Sequence, residues 1–185
     1  MIEKKGHEYH ELDMIVTGYG KKGLCTVLYW EDGTAEEVDL KPDTVLKRIA
    51  ELYGKTPQSV RRQWRMVQEA MAERPFGKMA ILAISPGVIL MPVKLAKKMV
   101  GRDPAIGYVN LAQPVRFLED KGGNGARSRI FFQRSEHVLD TAWTCRTLRK
   151  HCTAARLFSM QEEQRHIRER CISEQTQLCL SWYRH

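Results

Sequence analysis

No stretch of this 185-residue chain stays apolar for long. The most apolar one, Met79 to Leu95, is broken by Ser85-Pro86-Gly87 and by Pro92, whereas a bilayer-spanning helix needs about 20 apolar residues in a row. The first thirteen residues are polar and lack the charged-then-apolar pattern of a secretory leader. A cytoplasmic protein with no membrane partner is expected. Cys25, Cys145, Cys152, Cys171 and Cys179 are odd in number and include no C-x-x-C pair, so free thiols are expected. Cys145, His151 and Cys152 match no common zinc spacing, and no metal is expected.

Catalytic signatures are missing as well. There is no G-x-S-x-G, H-E-x-x-H or Walker A motif. The glycines and lysines of Gly18 to Gly23 lack the GK[ST] ending of a phosphate loop and read as a plain turn. The six histidines (His7, His10, His137, His151, His166 and His185) have no nucleophile or carboxylate at a motif spacing, and Asp140 one helical turn from His137 reads as surface decoration. No acidic cluster in the basic part of the chain would seat the metal of a nuclease. The chain is therefore not expected to be an enzyme, and neither a cofactor nor a small-molecule substrate is expected.

What the chain does have is uneven charge. Lys and Arg total 30 against 22 Asp and Glu, a net of +8. Residues 1–40 hold four basic and nine acidic side chains, net −5, which leaves +13 on the rest. A strongly basic body points to a polyanionic partner, nucleic acid before an anionic membrane.

Lys41 to Met71 carries the clearest pattern. Val45, Ile49, Leu52 and Tyr53 fall at i, i+4, i+7 and i+8, one apolar helical stripe. Gly54 is a natural helix stop, Thr56 a natural N-cap, and Pro57 suits the first helical position. In the second helix Val60, Trp64, Val67 and Met71 share a face, while Gln58, Arg61, Arg62 and Arg65 point away. The layout is that of a helix-turn-helix, with Ala50 and Gly54 at the small positions near the turn and Val60 as anchor.

On either side, short strands are expected. Met14 to Thr17 is one, followed by a loop over 18–23; Leu24 to Trp30 and Thr34 to Leu40 make a hairpin around Asp32-Gly33. Lys78 to Ile84 and Val88 to Val93 read as buried strands joined by Ser-Pro-Gly. Lys94 to Val100 reads as one or two helical turns, and Tyr108 to Leu111, Val115 to Leu118 and Arg127 to Gln133 as strands, with a glycine-rich turn at Lys121 to Gly125. Ser135 is placed as the cap of a helix from Glu136 to Lys150, which puts Arg146, Arg149 and Lys150 at its C-terminus, where the helix dipole favours cations. Ser159 to His185 is helix-prone with a thin apolar side at Ile167, Cys171, Leu178, Leu180, Trp182 and Tyr183, suited to docking on the body or on a second chain. The expected class is α+β: a single domain with short antiparallel strands, a central helix-turn-helix-like pair and a C-terminal helical tail.

The ordered features resemble the competence transcription factor (ComK) family. The shared series is Lys41-Pro42, an apolar helix ending in Tyr53-Gly54, a run closing at Met91-Pro92, the loop Gly101-Arg102-Asp103-Pro104-Ala105-Ile106-Gly107-Tyr108-Val109, then Ser135 and Asp140-Thr141-Ala142-Trp143. It covers roughly Leu24 to Arg156. The resemblance implies a sequence-specific regulator that binds paired A/T-rich boxes of duplex DNA, largely in the minor groove, as a homo-oligomer, and that activates genes for DNA uptake. Arginine suits the narrow, electronegative groove of such tracts. Two departures stand out. The region Leu157-Phe158-Ser159-Met160 lacks the Pro-Lys of the family's proteolysis motif, and a helix-turn-helix is not a family feature.

Residues 1–13 are thus taken as a flexible N-terminus, 14–156 as a DNA-binding domain, and 157–185 as a helical tail for oligomerisation or regulation. Expected DNA contacts are Arg61, Arg62 and Arg65, then Lys97, Lys98 and Arg102, with Arg127 and Arg129 at a cationic hairpin tip. The alternative is a basic protein–protein interaction module, such as a phage or mobile-element inhibitor of a nucleic-acid-binding machine.

Overall fold

The β-branched and aromatic run ending at Trp30 is paired on both sides, and the fold grows outward from it. A computed structural model describes residues 7–20, 23–70, 80–96, 106–120 and 125–182. A 3-10 turn at Tyr9–Glu11 leads into β1 (Leu12–Gly20), β2 (Gly23–Trp30) and β3 (Ala35–Val38), an antiparallel meander. Gly33 turns the second hairpin with φ +84°, a left-handed conformation that glycine adopts without a Cβ penalty. Two helices follow, α1 (Pro42–Leu52) and α2 (Pro57–Ala70). Strands β4 (Leu82–Ser85), β5 (Val88–Lys94) and β6 (Ile106–Asn110) form a second meander. Its β6 pairs with β1, Met14 opposite Val109, to give one six-stranded antiparallel sheet in the order β3-β2-β1-β6-β5-β4. A separate three-stranded sheet holds β7 (Val115–Glu119), β8 (Ser128–Phe132) and β9 (Val138–Thr141), and α3 (Cys145–Trp182) completes an α+β domain.

Both faces of the large sheet are covered, which is why a strand such as Val88 to Val93 is apolar at every position instead of alternating. On one face Ile15, Leu28, Ile84 and Leu90 pack with Val45, Leu46 and Ile49 of α1. On the other, Met14, Ala83, Met91 and Val109 pack with Ile130 and Phe132 of the small sheet and with Leu148, Ala155 and Phe158 of α3. Helix α2 runs beside β4, the edge strand, and reaches both cores: Val60 enters the first and Trp64 the second. Covering the edge also shields its unpaired backbone groups. Asn110, fully buried, ties the strands together. Its side-chain oxygen accepts from Ile89 N (2.9 Å) and Ala112 N (3.2 Å), and its amide donates to Leu12 O (2.9 Å) and Gly87 O (3.0 Å).

Four expectations need correction. Strand β1 does not end at Thr17 but runs to Gly20. Gly18 is closely packed, since a Cβ there would sit 2.8 Å from Val27, whereas one on Gly20 would meet only the end of the exposed Glu37 side chain, which can swing away. In α1 the inward stripe is Val45, Leu46, Ile49 and Ala50, whereas Leu52 and Tyr53 are exposed. Lys94 closes β5 and Leu95 bridges to Thr141, so no helical turn starts there; 97–100 lie outside the described residues. The segment after Ser135 is not helical. Val138, Leu139, Asp140 and Thr141 alternate out and in as β9, paired with β8, and α3 begins only after Thr144. That threonine caps it, its Oγ1 accepting from Thr147 N at 3.3 Å. Helix α3 then continues unbroken past residue 157 for 38 residues, about 57 Å.

Candidate nucleic-acid interface

The turn between α1 and α2 sets the direction of the arginine-bearing helix. Gly54 takes φ +67° and stops α1, and Lys55 N donates back to Ala50 O at 3.0 Å. Thr56 Oγ1 then accepts from Ser59 N (3.1 Å) while Thr56 N donates to Ser59 Oγ (3.3 Å), a reciprocal cap with Pro57 in the first helical position. The side chains that follow sort by helical phase. Val60 and Trp64, four apart, are buried, with the Trp64 ring centroid 5.3 Å from that of Phe158 on α3 in a T-shaped contact. Arg61, Arg62 and Arg65 are exposed. Met71 and the side chain of Val67 lie outside the described residues.

The three arginines are not equally free. Arg61 reaches Asp43 of α1 at 3.5 Å, an ion pair between two exposed side chains worth little in water. Arg62 and Arg65 pair with no carboxylate among the described residues. Between them Gln63 turns toward α3. With its amide oriented to suit its neighbours, it donates to Glu162 at 2.9 Å and accepts from Arg165 at 2.6 and 2.9 Å, while Arg165 also pairs with Glu162 at 2.9 Å. Trp64 and Gln63 together hold α2 against α3.

Of the other expected contacts, Lys97, Lys98 and Arg102 lie outside the described residues, as does the tip at 121–124. Arg127 is exposed just ahead of β8. Arg129, on the exposed side of β8, spans Asp120 and Asp140, each at 3.2 Å, so two carboxylates already face its charge. The structure therefore brings Arg61, Arg62 and Arg65 together on one helix and places Arg129 on a strand of the separate sheet, with Arg127 just ahead of that strand.

The later start of α3 relocates a further set. Arg146, Arg149 and Lys150 lie in its first turns and not in a final turn, where the dipole would have favoured them. The signal that could have placed them is Thr144, an N-cap type that follows the alternating segment 138–141 and directly precedes Cys145.

Two other features bear on chemistry. A cleft of about 500 Å³ opens between Tyr53, Lys55, the β4–β5 turn, and Glu162, Glu163 and His166 of α3. Half-buried Lys55 donates to Ala83 O at 3.3 Å, and desolvation pulls its ammonium below the ordinary lysine value, partly countered by Glu162. Across the molecule, buried Asp13 accepts from Ser135 Oγ and faces His137 Nδ1 at 3.2 Å, while His137 Nε2 faces Gly33 O at 3.2 Å. Burial raises the Asp13 carboxyl, and the two hydrogen bonds oppose it. The residue types are those of a catalytic triad but the connections are not. Ser135 donates to the carboxylate instead of to the imidazole, so the serine–histidine link of a triad is not made. The cluster ties the β8–β9 turn to β1.

Among the described residues no group of three His, Cys, Asp or Glu side chains is arranged to hold a metal ion, and no helix is long and apolar enough to cross a membrane. No protein-family model, curated protein or solved structure matches this chain.

Proposed function

We propose that the chain is a duplex-DNA-binding regulator of the competence-factor type, contacting A/T-rich DNA through the exposed arginine face of α2. The observation that carries this reading is the sorting of α2: Val60 and Trp64 are committed to the cores while Arg61, Arg62 and Arg65 face solvent together, two of them without a carboxylate partner among the described residues. A core-anchored helix fixes where such charges point, and unneutralised guanidinium groups release counterions when they meet phosphates. Exposed Leu157, Met160 and Ile167 along α3 support self-association, which paired DNA boxes require. The test is fluorescence anisotropy with an A/T-rich duplex over a salt series. Binding should weaken steeply with salt, and Arg62→Ala with Arg65→Ala should flatten the slope of log affinity against log salt by about two. Absence of binding, or a response indifferent to salt, would sink the reading.

A further inference from the structure

From Cys145 to Gln161 the first half of α3 contains no Asp or Glu, and its exposed side carries Arg146, Arg149, Lys150 and Arg156. These fall at i, i+3, i+4 and i+10 of one helix, so they form a single stripe opposite Leu148, Cys152 and Ala155, which are buried. Had the helix ended at Lys150, its dipole would account for them. It starts at Cys145 instead, capped by Thr144, so Arg146 and Arg149 sit at the positive end of the dipole, where cations are unfavourable and Asp or Glu are the favoured residues. Local balance does not explain them either. Arg146, Arg149 and Arg156 form no ion pair among the described residues, in contrast to Arg129 with its two carboxylates. Arg146, Arg149 and Arg156, repelling one another and set partly against the helix dipole, are unfavourable in the isolated fold, and an external polyanion would supply their countercharge. The stripe spans three turns, roughly 15 Å, a length over which one strand of duplex DNA presents about four or five phosphates.

We propose that this stripe is a second DNA-backbone contact, with Arg146, Arg149 and Arg156 meeting phosphates of the duplex that α2 also engages. The proposal rests on the DNA-binding reading of α2, and α2 is fastened to α3 through Trp64–Phe158 and Gln63–Glu162. Contacts of this kind position a protein on DNA and carry no sequence information.

The test compares wild type, an α3 variant (Arg146→Ala, Arg149→Ala, Arg156→Ala), its lysine counterpart (Arg146→Lys, Arg149→Lys, Arg156→Lys) and an α2 variant (Arg61→Ala, Arg62→Ala, Arg65→Ala). Each is titrated by anisotropy with an A/T-rich duplex and with a G/C-rich duplex of equal length, between about 0.05 and 0.3 M salt. The α3 alanine variant should flatten the salt slope by between two and three and weaken binding at least tenfold on both duplexes, while its melting temperature holds or rises. The lysine variant should keep the wild-type slope. A wild-type slope in the α3 alanine variant, beside weakened binding by the α2 variant, overturns this proposal and leaves the α2 reading intact. No binding by wild type overturns the α2 reading, and this one with it. A lysine variant as weak as the alanine variant overturns the assignment to phosphate charge.

Discussion

Helices α2 and α3 both expose arginines opposite a buried apolar stripe, yet only one set is legible in the sequence. In α2 every cue agrees. Gly54, Thr56 and Pro57 punctuate its start, and the core-facing Val60 and Trp64 fix the phase that turns Arg61, Arg62 and Arg65 outward. In α3 the same kind of charges looked explained, because a helix drawn from Glu136 would finish beside them and use them to settle its own dipole. Moving the start of that helix to Cys145 removes the explanation and reverses its sign. The meaning of a charged residue on a helix depends on which end of the helix it occupies.

The comparison breaks most visibly if the two helices do not behave as one body. Trp64→Ala removes a fully buried indole that reaches the core shared with Phe158, and a loss of about 3–5 kcal/mol in chemical denaturation is expected. A loss under about 1 kcal/mol would mean that α2 is not held where the structure puts it. Gln63→Leu is the finer version. It keeps the apolar packing but strips Glu162 and Arg165 of a shared partner, so about 1–3 kcal/mol should go with it. An unchanged stability would show that water replaces the amide and that the coupling runs through Trp64 alone.

How legible each part was follows from where its determining contacts lie. The hairpin at Asp32-Gly33, the caps of α2 and the β4–β5 pair are set by residues adjacent in sequence, and they were readable. Segment 136–144 was not. Val138, Leu139, Ala142 and Trp143 suit a helix in isolation, but Ile130 and Phe131 of β8 lie opposite Leu139 and Val138, and pairing with β8 overrides local propensity. Gly18 and Gly20 suit a loop because glycine is common in loops, whereas here both are paired with β2 and Val27 of that strand lies against Gly18. The candidate site divides the same way. Arg61, Arg62 and Arg65 belong to a locally determined helix, and the α3 stripe belongs to a helix whose start depends on a long-range strand pairing.

Arg146→Glu sharpens the contrast in sign as well as size. At the second position of α3 a carboxylate complements the dipole that arginine opposes, so the fold should gain about 0.5–1 kcal/mol while DNA affinity falls. Arg62→Glu, in the body of α2 and away from either terminus, should lower affinity with little change in stability. Thermal melts and anisotropy on the same two variants decide the matter. If Arg146→Glu destabilises the fold, the arginine has a structural partner after all and the stripe loses its rationale.

The smallest effect concerns the other cation placed at a helix start, Lys55, immediately before the Thr56 cap of α2. Its ammonium is half-buried, and desolvation depresses its pKa in the fold. The unfolded chain therefore binds the proton more tightly than the folded one. Between the depressed value and the ordinary value of 10.5, stability rises with pH; below that window the fold bears the whole burden of the buried charge. Lys55→Met carries no such burden. Relative to wild type it should be favoured near neutrality, and its advantage should shrink as pH climbs toward 10.5. Urea denaturation of both proteins at several pH values reads the sign directly. A constant difference across the range would mean that Lys55 is as well solvated in the cleft as in the unfolded chain. The α2 start would then tolerate its cation because water reaches it, and the contrast with α3 would rest on Arg146 and Arg149 alone.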